Sequence, residues 1–367
     1  MPQGVVSKAF LAKTKAWRIK AICLLKGLHI GVVLGIDWVP RFFVYVIIIP
    51  MQDNQWNQGG ADSGAQPTKR LVSPALEAML DQPIKVLDHG FVRLVDYMGN
   101  DDSIVRAARV SYGKGTKRKT DDRNLIFYLM RHRHTTPFEM CEATFHIKMP
   151  IFVARQWVRH RTANINEYSA RYSVLSKEFY IPTPENMAAQ SQTNNQGRAD
   201  VALPPEQVQS LLNLLQRDSL QCYDTYMSHM NMTEDGDVAD SSKVGLSREL
   251  ARMNLTLNYY TEMYWKIDLH NLLHFLHLRG DAHAQWEIQV YAHAIAKMVE
   301  AWVPNAAEAF REYRQGAKTF SKTGMTVIKR LMQGDRVQRE EMGLTKREWA
   351  EIMQALDMEV TEAAQAA

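Results

Sequence analysis

The 367-residue sequence predicts an α+β fold with a central mixed or antiparallel sheet flanked by helices. Three observations carry this expectation. Short segments of period-two alternation occur at 84–87, 91–95 and 143–149. Longer segments with apolar residues at helical spacing separate and follow them. Neither GxGxxG nor GxxxxGK[ST] occurs, so no Rossmann turn and no phosphate-cradling P-loop is expected.

Residues 1–70 read as an extension and linker. The first part carries Lys8, Lys13, Lys15, Arg18 and Lys20, like the charged start of a signal peptide. Lys26 and His29 then interrupt the apolar run, and no small-x-small cleavage site follows. Residues 30–49 are mostly apolar and reach the roughly 20 residues that a membrane span needs. Asp37, Pro40 and Arg41 sit near their middle, and a central Asp or Arg costs about 2.5–3.5 kcal/mol on insertion. The first expectation is an extension outside the working protein, with Met51 as an alternative start; a membrane-associated helix is the weaker alternative. Residues 52–70 are polar and Gly-rich, which marks a linker.

The elements then follow in order. Strands at 84–87 and 91–95 flank a turn of Asp88, His89 and Gly90. Helices are expected over 101–112, with an Asp/Ser start, and over 121–133, starting DDRN. After the strand at 143–149, Pro150 suits the first position of a helix through about 158. Residues 183–207 are polar and Pro-bounded and read as a surface insertion or mobile loop. Helical patterns occupy 206–231, 246–265, 269–278 and 283–302, with Pro304 as a stop. A last amphipathic helix at 344–358 is capped by Thr345 with Glu348 three residues on, and the chain end beyond it should fray.

Composition narrows the function. Apolar residues at 46% and charged residues at 23% describe a soluble globular chain. Lys and Arg number 44 against 40 Asp and Glu, and the surplus of +4 is too small for a nucleic-acid coat protein. Cys23, Cys141 and Cys222 are scattered, with no CxxC, so neither a disulfide framework nor a cysteine zinc site is indicated. That favours a reducing compartment, and a cytoplasmic location is expected.

Three clusters carry chemistry. The densest runs over 155–173 and contains Arg155, Gln156, Arg159, Arg161, Asn164, Glu167, Ser169 and Arg171. Several guanidiniums suit bidentate phosphate binding, and amides can read the edge of a base. A solvated basic helix end would look the same from spacing alone. The second runs over 268–287. His270 and His274 share one helix face but lack a third metal ligand, so no metal is expected. Arg279 follows at the helix end, either pointing into a cleft or paired with Asp281 on the surface. The third, at 132–139, offers His134, Thr136 and Glu139 at a loop-to-strand junction.

Taken together, these residues resemble a known family. Arg159, His160 and Arg161, then seven residues, then Ser169 match the RHRx7S signature of flavin-dependent thymidylate synthases. TPFE (136–139), PIFVARQW (150–157), NEYSARY (166–172) and LRGDAHAQWE (278–287) extend the match, which covers about 83–315. Asp268 and His274 stand where some members carry asparagine, and Asn164 where serine is frequent.

The resemblance implies one catalytic domain, taken as 71–317, with a helical extension at 318–367. It implies reductive methylation of dUMP to dTMP, with 5,10-methylenetetrahydrofolate as carbon donor, NADPH as reductant and FAD as hydride carrier. It also implies a homotetramer with shared active sites. Ser111, Thr136, Arg159, His160, Arg161, Glu167, Asp268, Leu269, His270 and His274 resemble flavin contacts. Gln156, Trp157, Val158, Arg159, Glu167, Tyr168, Ser169, Ala170, Arg171, Arg252 and Arg279 resemble nucleotide contacts. Arg279 resembles the residue that holds the uracil ring and favours loss of its N3 proton, and His134 resembles a histidine near the flavin and folate side. The competing reading from the residues alone is a non-catalytic nucleotide- or RNA-binding protein that uses the same arginine cluster.

Overall fold

The computed structural model describes residues 70–110, 121–191 and 197–358, with the backbone of 20–24, 30–36 and 44–50. Ser111, Met51, most of the expected linker and the chain end lie outside the described residues. The chain divides into two units, Met1–Pro67 and Thr68–Ala367.

In the first unit, β1 (Lys20–Leu24), β2 (Ile30–Ile36) and β3 (Val44–Pro50) form an antiparallel sheet in that order. The apolar stretch at 30–49 therefore supplies two strands. Among the described residues no helix is long and apolar enough to cross a membrane.

The second unit opens with α1 (Pro74–Glu77), β4 (Ile84–Val86) and β5 (Gly90–Met98). Helix α2 (Asp101–Arg109) starts at a capping box between Asn100 and Ser103. Helix α3 (Asp122–Arg131) is capped by the Asp121 carboxylate, which accepts from the Asn124 N–H. A short α4 (Thr136–Glu139), strand β6 (Glu142–Pro150) and α5 (Ile151–Trp157) follow. Pro150 ends the strand and caps the helix, so the helix begins one residue later than expected. Strand β7 (Asn164–Glu167) continues the chain, and β8 (Ala188–Gln190) and β9 (Arg198–Ala202) make a two-stranded ribbon inside the expected insertion. Then come α6 (Pro205–Met230) and α7 (Arg248–Ala251).

The stretch at 246–265 is not one helix. After α7 the chain makes a 3-10 turn and enters β10 (Tyr260–Asp268). Met263, Trp265 and Ile267 point inward at period two and are buried, each worth roughly 1.5–3 kcal/mol. β10 pairs antiparallel with β6 on one side and β7 on the other, giving the order β4-β5-β6-β10-β7. This five-stranded sheet is antiparallel throughout.

Helices α8 (Leu269–Arg279) and α9 (Trp286–Trp302) cover its inner face. The Asp268 carboxylate caps α8, accepting from the Asn271 N–H at 2.9 Å. Helix α9 ends at Trp302, just before Pro304, the expected stop. The proline then opens α10 (Pro304–Phe310), where its missing N–H costs nothing. Close packing of α9 on the sheet requires a glycine at 90, because a Cβ there would lie 2.1 Å from the Tyr291 hydroxyl. Helices α11 (Lys322–Met332) and α12 (Lys346–Ala355) enclose a small apolar cluster of their own around Val327, Trp349 and Ile352. The Thr345–Glu348 capping box starts α12 as the sequence predicts.

Candidate active site

An aromatic platform fixes the two helix ends that carry the site. Trp157, at the end of α5, lies 5.1 Å from the Trp265 ring and 4.5 Å from the Phe275 ring of α8. All three are fully buried, and such contacts add to their area burial. Residues just past Trp157 and the outer face of α8 are thereby held together. That face brings Arg279 against His160: Arg279 Nε donates to His160 Nε2 at 2.9 Å, and Arg279 Nη2 donates to the Gln156 carbonyl at 3.4 Å.

Guanidinium nitrogens only donate, so His160 Nε2 must accept and its proton sits on Nδ1. Burial is the main cause that holds the His160 pKa down, to about 4, and the neighbouring Arg279 and His274 add to it. The ring is neutral at physiological pH. His274 is 5.9 Å from His160 and is also held low, by burial first and then by the His270 and His277 charges. Asp281 does not pair with Arg279. It turns to His283 at 2.8 Å, and among the described residues Arg279 has no carboxylate partner.

Beside this group lies a cleft of about 460 Å³. Leu129, Met130, Leu273 and Phe310 form its apolar floor, and Arg133, His134, His270, His274, His277 and Arg314 bring cationic or cationisable groups. Among the described residues no Asp or Glu lines it. An apolar floor suits a flat aromatic ring, and the basic wall suits phosphates, so the donor set fits a flavin nucleotide. Thr135 lines the cleft, whereas Thr136 starts α4 and is not among the lining residues. Among the described residues no group of three or more His, Cys, Asp or Glu is placed to hold a metal.

The segment 164–171 forms a second patch, at the far edge of the sheet. Glu167 accepts from the Thr261 hydroxyl at 2.7 Å, and the Tyr168 N–H donates to the Glu262 carbonyl at 2.8 Å. Ser169 Oγ accepts from the Arg171 N–H at 3.3 Å, and Arg171 pairs with Glu249 at 3.5 Å. Arg252 is exposed on the following 3-10 turn, and Arg159 and Arg161 are also exposed. Among the described residues no hydrogen bond or ion pair joins Arg171 or Arg252 to Arg279.

Three expected contact residues have buried side chains. Trp157 and Leu269 are fully buried in the core and Ala170 is nearly so. Their side chains pack the fold, which leaves their backbone groups as what they can offer a ligand. Val158 is partly exposed at the end of α5.

One important group was missed. Glu287 is only 3% exposed, yet it is a carboxylate on the apolar face of α9. It accepts from Gln285 Nε2 at 2.9 Å and from the Tyr180 hydroxyl at 3.3 Å, and it is ion-paired with Arg198 of β9. Gln285 in turn accepts from the Gln156 amide. The available signal was a lone acid beside Ile288 at a position that helical spacing buries.

The sequence matches the profile of the family described as thymidylate synthase complementing protein over residues 93–305. The flavin-dependent thymidylate synthase of Rickettsia bellii is 59% identical over 289 residues, covering 79% of this chain and 98% of the relative. That of Gluconobacter oxydans is 56% identical over 295 residues, covering 80% and 94%. Among solved structures, the UMP/dUMP methylase PolB of Streptomyces cacaoi bound with 5-Br UMP is 30% identical with a TM-score of 0.53. It covers 63% of this chain and 98% of the other.

Proposed function

The chain belongs to the flavin-dependent thymidylate synthase family, and on that premise we propose how its residues serve the family reaction. The reaction converts dUMP to dTMP, with 5,10-methylenetetrahydrofolate as carbon donor and NADPH as reductant. FAD, when bound, supplies the hydride chemistry that the side chains lack. The observation that carries the reading is the Arg279–His160–Gln156 group at the edge of a basic, apolar-floored cleft.

Arg279 serves the uracil ring. A fixed cation beside N3 stabilises the N3 anion and polarises the ring toward attack. His160, held neutral, accepts from Arg279 and sets the plane of the guanidinium without competing for charge. Gln156 offers its amide next to it, held by Gln285 and Glu287. The second patch, with Tyr168, Ser169, Arg171 and Arg252, suits the nucleotide phosphate. His134, His270 and His274 serve the cofactor side of the cleft.

The thiol of Cys141 takes no part. It is buried, and burial pushes its pKa up to about 12. Among the described residues no hydrogen bond or ion pair joins Arg171 or Arg252 to Arg279, which supports a homotetramer whose sites draw on more than one subunit. We place the catalytic domain at 71–317 and the protein in the cytoplasm. The RNA-binding alternative is not favoured, since the relatives are synthases.

The deciding experiment is dUMP-dependent NADPH oxidation with tritium release from labelled dUMP, on purified yellow protein. Absence of both signals in flavin-loaded protein would overturn the reading.

A further inference from the structure

Two guanidiniums of the cleft are left unused by the roles above. Arg133 follows α3 and has φ of 59°, in the left-handed region where a side chain is strained and glycine is free. Arg314 reaches the same cleft from a π-helical turn, Arg311–Gln315, after α10. Such turns cluster at functional sites. Burial lowers the Arg314 pKa, and the Arg133 charge lowers it further. Among the described residues neither guanidinium has a carboxylate partner, and no acid lines the cleft.

Two like charges held over an apolar floor, one on a strained backbone, cost stability in the protein alone. An anion between them would reverse the sign of that electrostatic term. Planar guanidiniums offer paired N–H donors that match phosphate oxygens. We propose that Arg133 and Arg314 together hold a phosphate-type anion, a diphosphate or terminal phosphate carried by a dinucleotide. The inference rests on reading the cleft as the cofactor side. FAD and NADPH both carry this chemistry.

The test uses the full chain freed of flavin and phosphate, as wild type, Arg133→Gly, Arg314→Gln and the double variant. Pyrophosphate binding is measured by calorimetry, and Tm is read without ligand. FAD affinity is titrated, and KM is compared for NADPH and NADH. Each single variant is expected to weaken pyrophosphate by about tenfold or more, while Arg133→Gly raises the ligand-free Tm. A loss in FAD affinity assigns the anion to the flavin nucleotide. A loss of preference for NADPH over NADH assigns it to the nicotinamide donor.

Wild-type protein that does not bind pyrophosphate, or variants that bind it unchanged, would overturn the proposal. So would a loss confined to folates with long glutamate tails, which would make the ligand a polycarboxylate. Arg314→Gln keeps the test open if Arg133→Gly fails to fold. Pyrophosphate binding and Tm need no turnover, so failure of this proposal is separable from failure of the family reaction.

Discussion

Arg279 donates from Nε to His160 Nε2 at 2.9 Å, and this contact survives only while the histidine ring is neutral. A protonated ring would present a donor to a donor, with a second positive charge beside the first. The pair therefore sets both the aim of the arginine and the protonation state of the histidine.

Removing the arginine tests the aim. Arg279→Ala is expected to cut dTMP formation by about 10²–10³-fold, as loss of a preorganised electrostatic donor does. FAD content should be retained, because the cleft walls are untouched. Arg279→Lys should fare little better, since an ammonium cannot contact His160 and the Gln156 carbonyl in the same fork. The check is single-turnover dTMP formation together with the flavin spectrum. Near wild-type turnover in Arg279→Ala would remove Arg279 from the chemistry.

The histidine makes stability depend on pH. Its folded pKa is about 4, below the 6.5 of an unperturbed ring. Between those values the unfolded chain binds the proton and the folded chain does not. Stability from this group therefore falls as pH drops from 6.5 toward 4, and it is insensitive to pH above 6.5. One proton gives a slope of at most about 1.4 kcal/mol per pH unit. His274 adds in the same direction. Urea midpoints across that window should slope less in His160→Gln than in wild type. Parallel slopes would show that the ring is not held neutral by the fold.

Glu287 gives a stability prediction with a functional consequence. Glu287→Ala strips partners from Tyr180, Gln285 and Arg198 at once. Breaking a buried pair costs about 3–5 kcal/mol, and Arg198 is partly exposed, so a loss of about 2–3 kcal/mol is expected. Glu287→Gln should lose less stability but raise KM for dUMP through Gln285 and Gln156, with kcat little changed. Denaturant midpoints and steady-state kinetics separate the two effects. A Glu287→Gln enzyme with unchanged KM would reduce the network to packing.

These residues also show what local pattern can and cannot carry. The Asp121 cap, the Thr345–Glu348 box and the alternation of β6 were legible because a few neighbours in sequence decide them. β10 was misread, although Tyr260 to Asp268 alternates, because helical residues lead into it and only pairing with β6 and β7 settles the matter. Proximity left Asp281 as one of two possible settings for Arg279, and the structure pairs Arg279 instead with His160, 119 residues away in sequence. Trp157 and Leu269 sit inside site motifs but face the core, which spacing alone does not reveal. Glu287 owes its role to Arg198 and Tyr180, both distant in the chain.

The cysteines provide a last test. Cys141 is fully buried, its Sγ lies 3.5 Å from the Asn100 carbonyl, and its pKa is pushed up to about 12. At neutral pH the thiol stays protonated, which leaves no thiolate to act as a nucleophile. Cys141→Ala should keep turnover and lose about 1–2 kcal/mol of stability through the small cavity it leaves. Alkylation of native protein should label Cys222 ahead of Cys141, since Cys222 is partly exposed. Mass mapping after iodoacetamide, paired with an activity assay, checks both points. Activity that falls in step with Cys141 labelling would restore a cysteine to the mechanism and contradict the buried geometry.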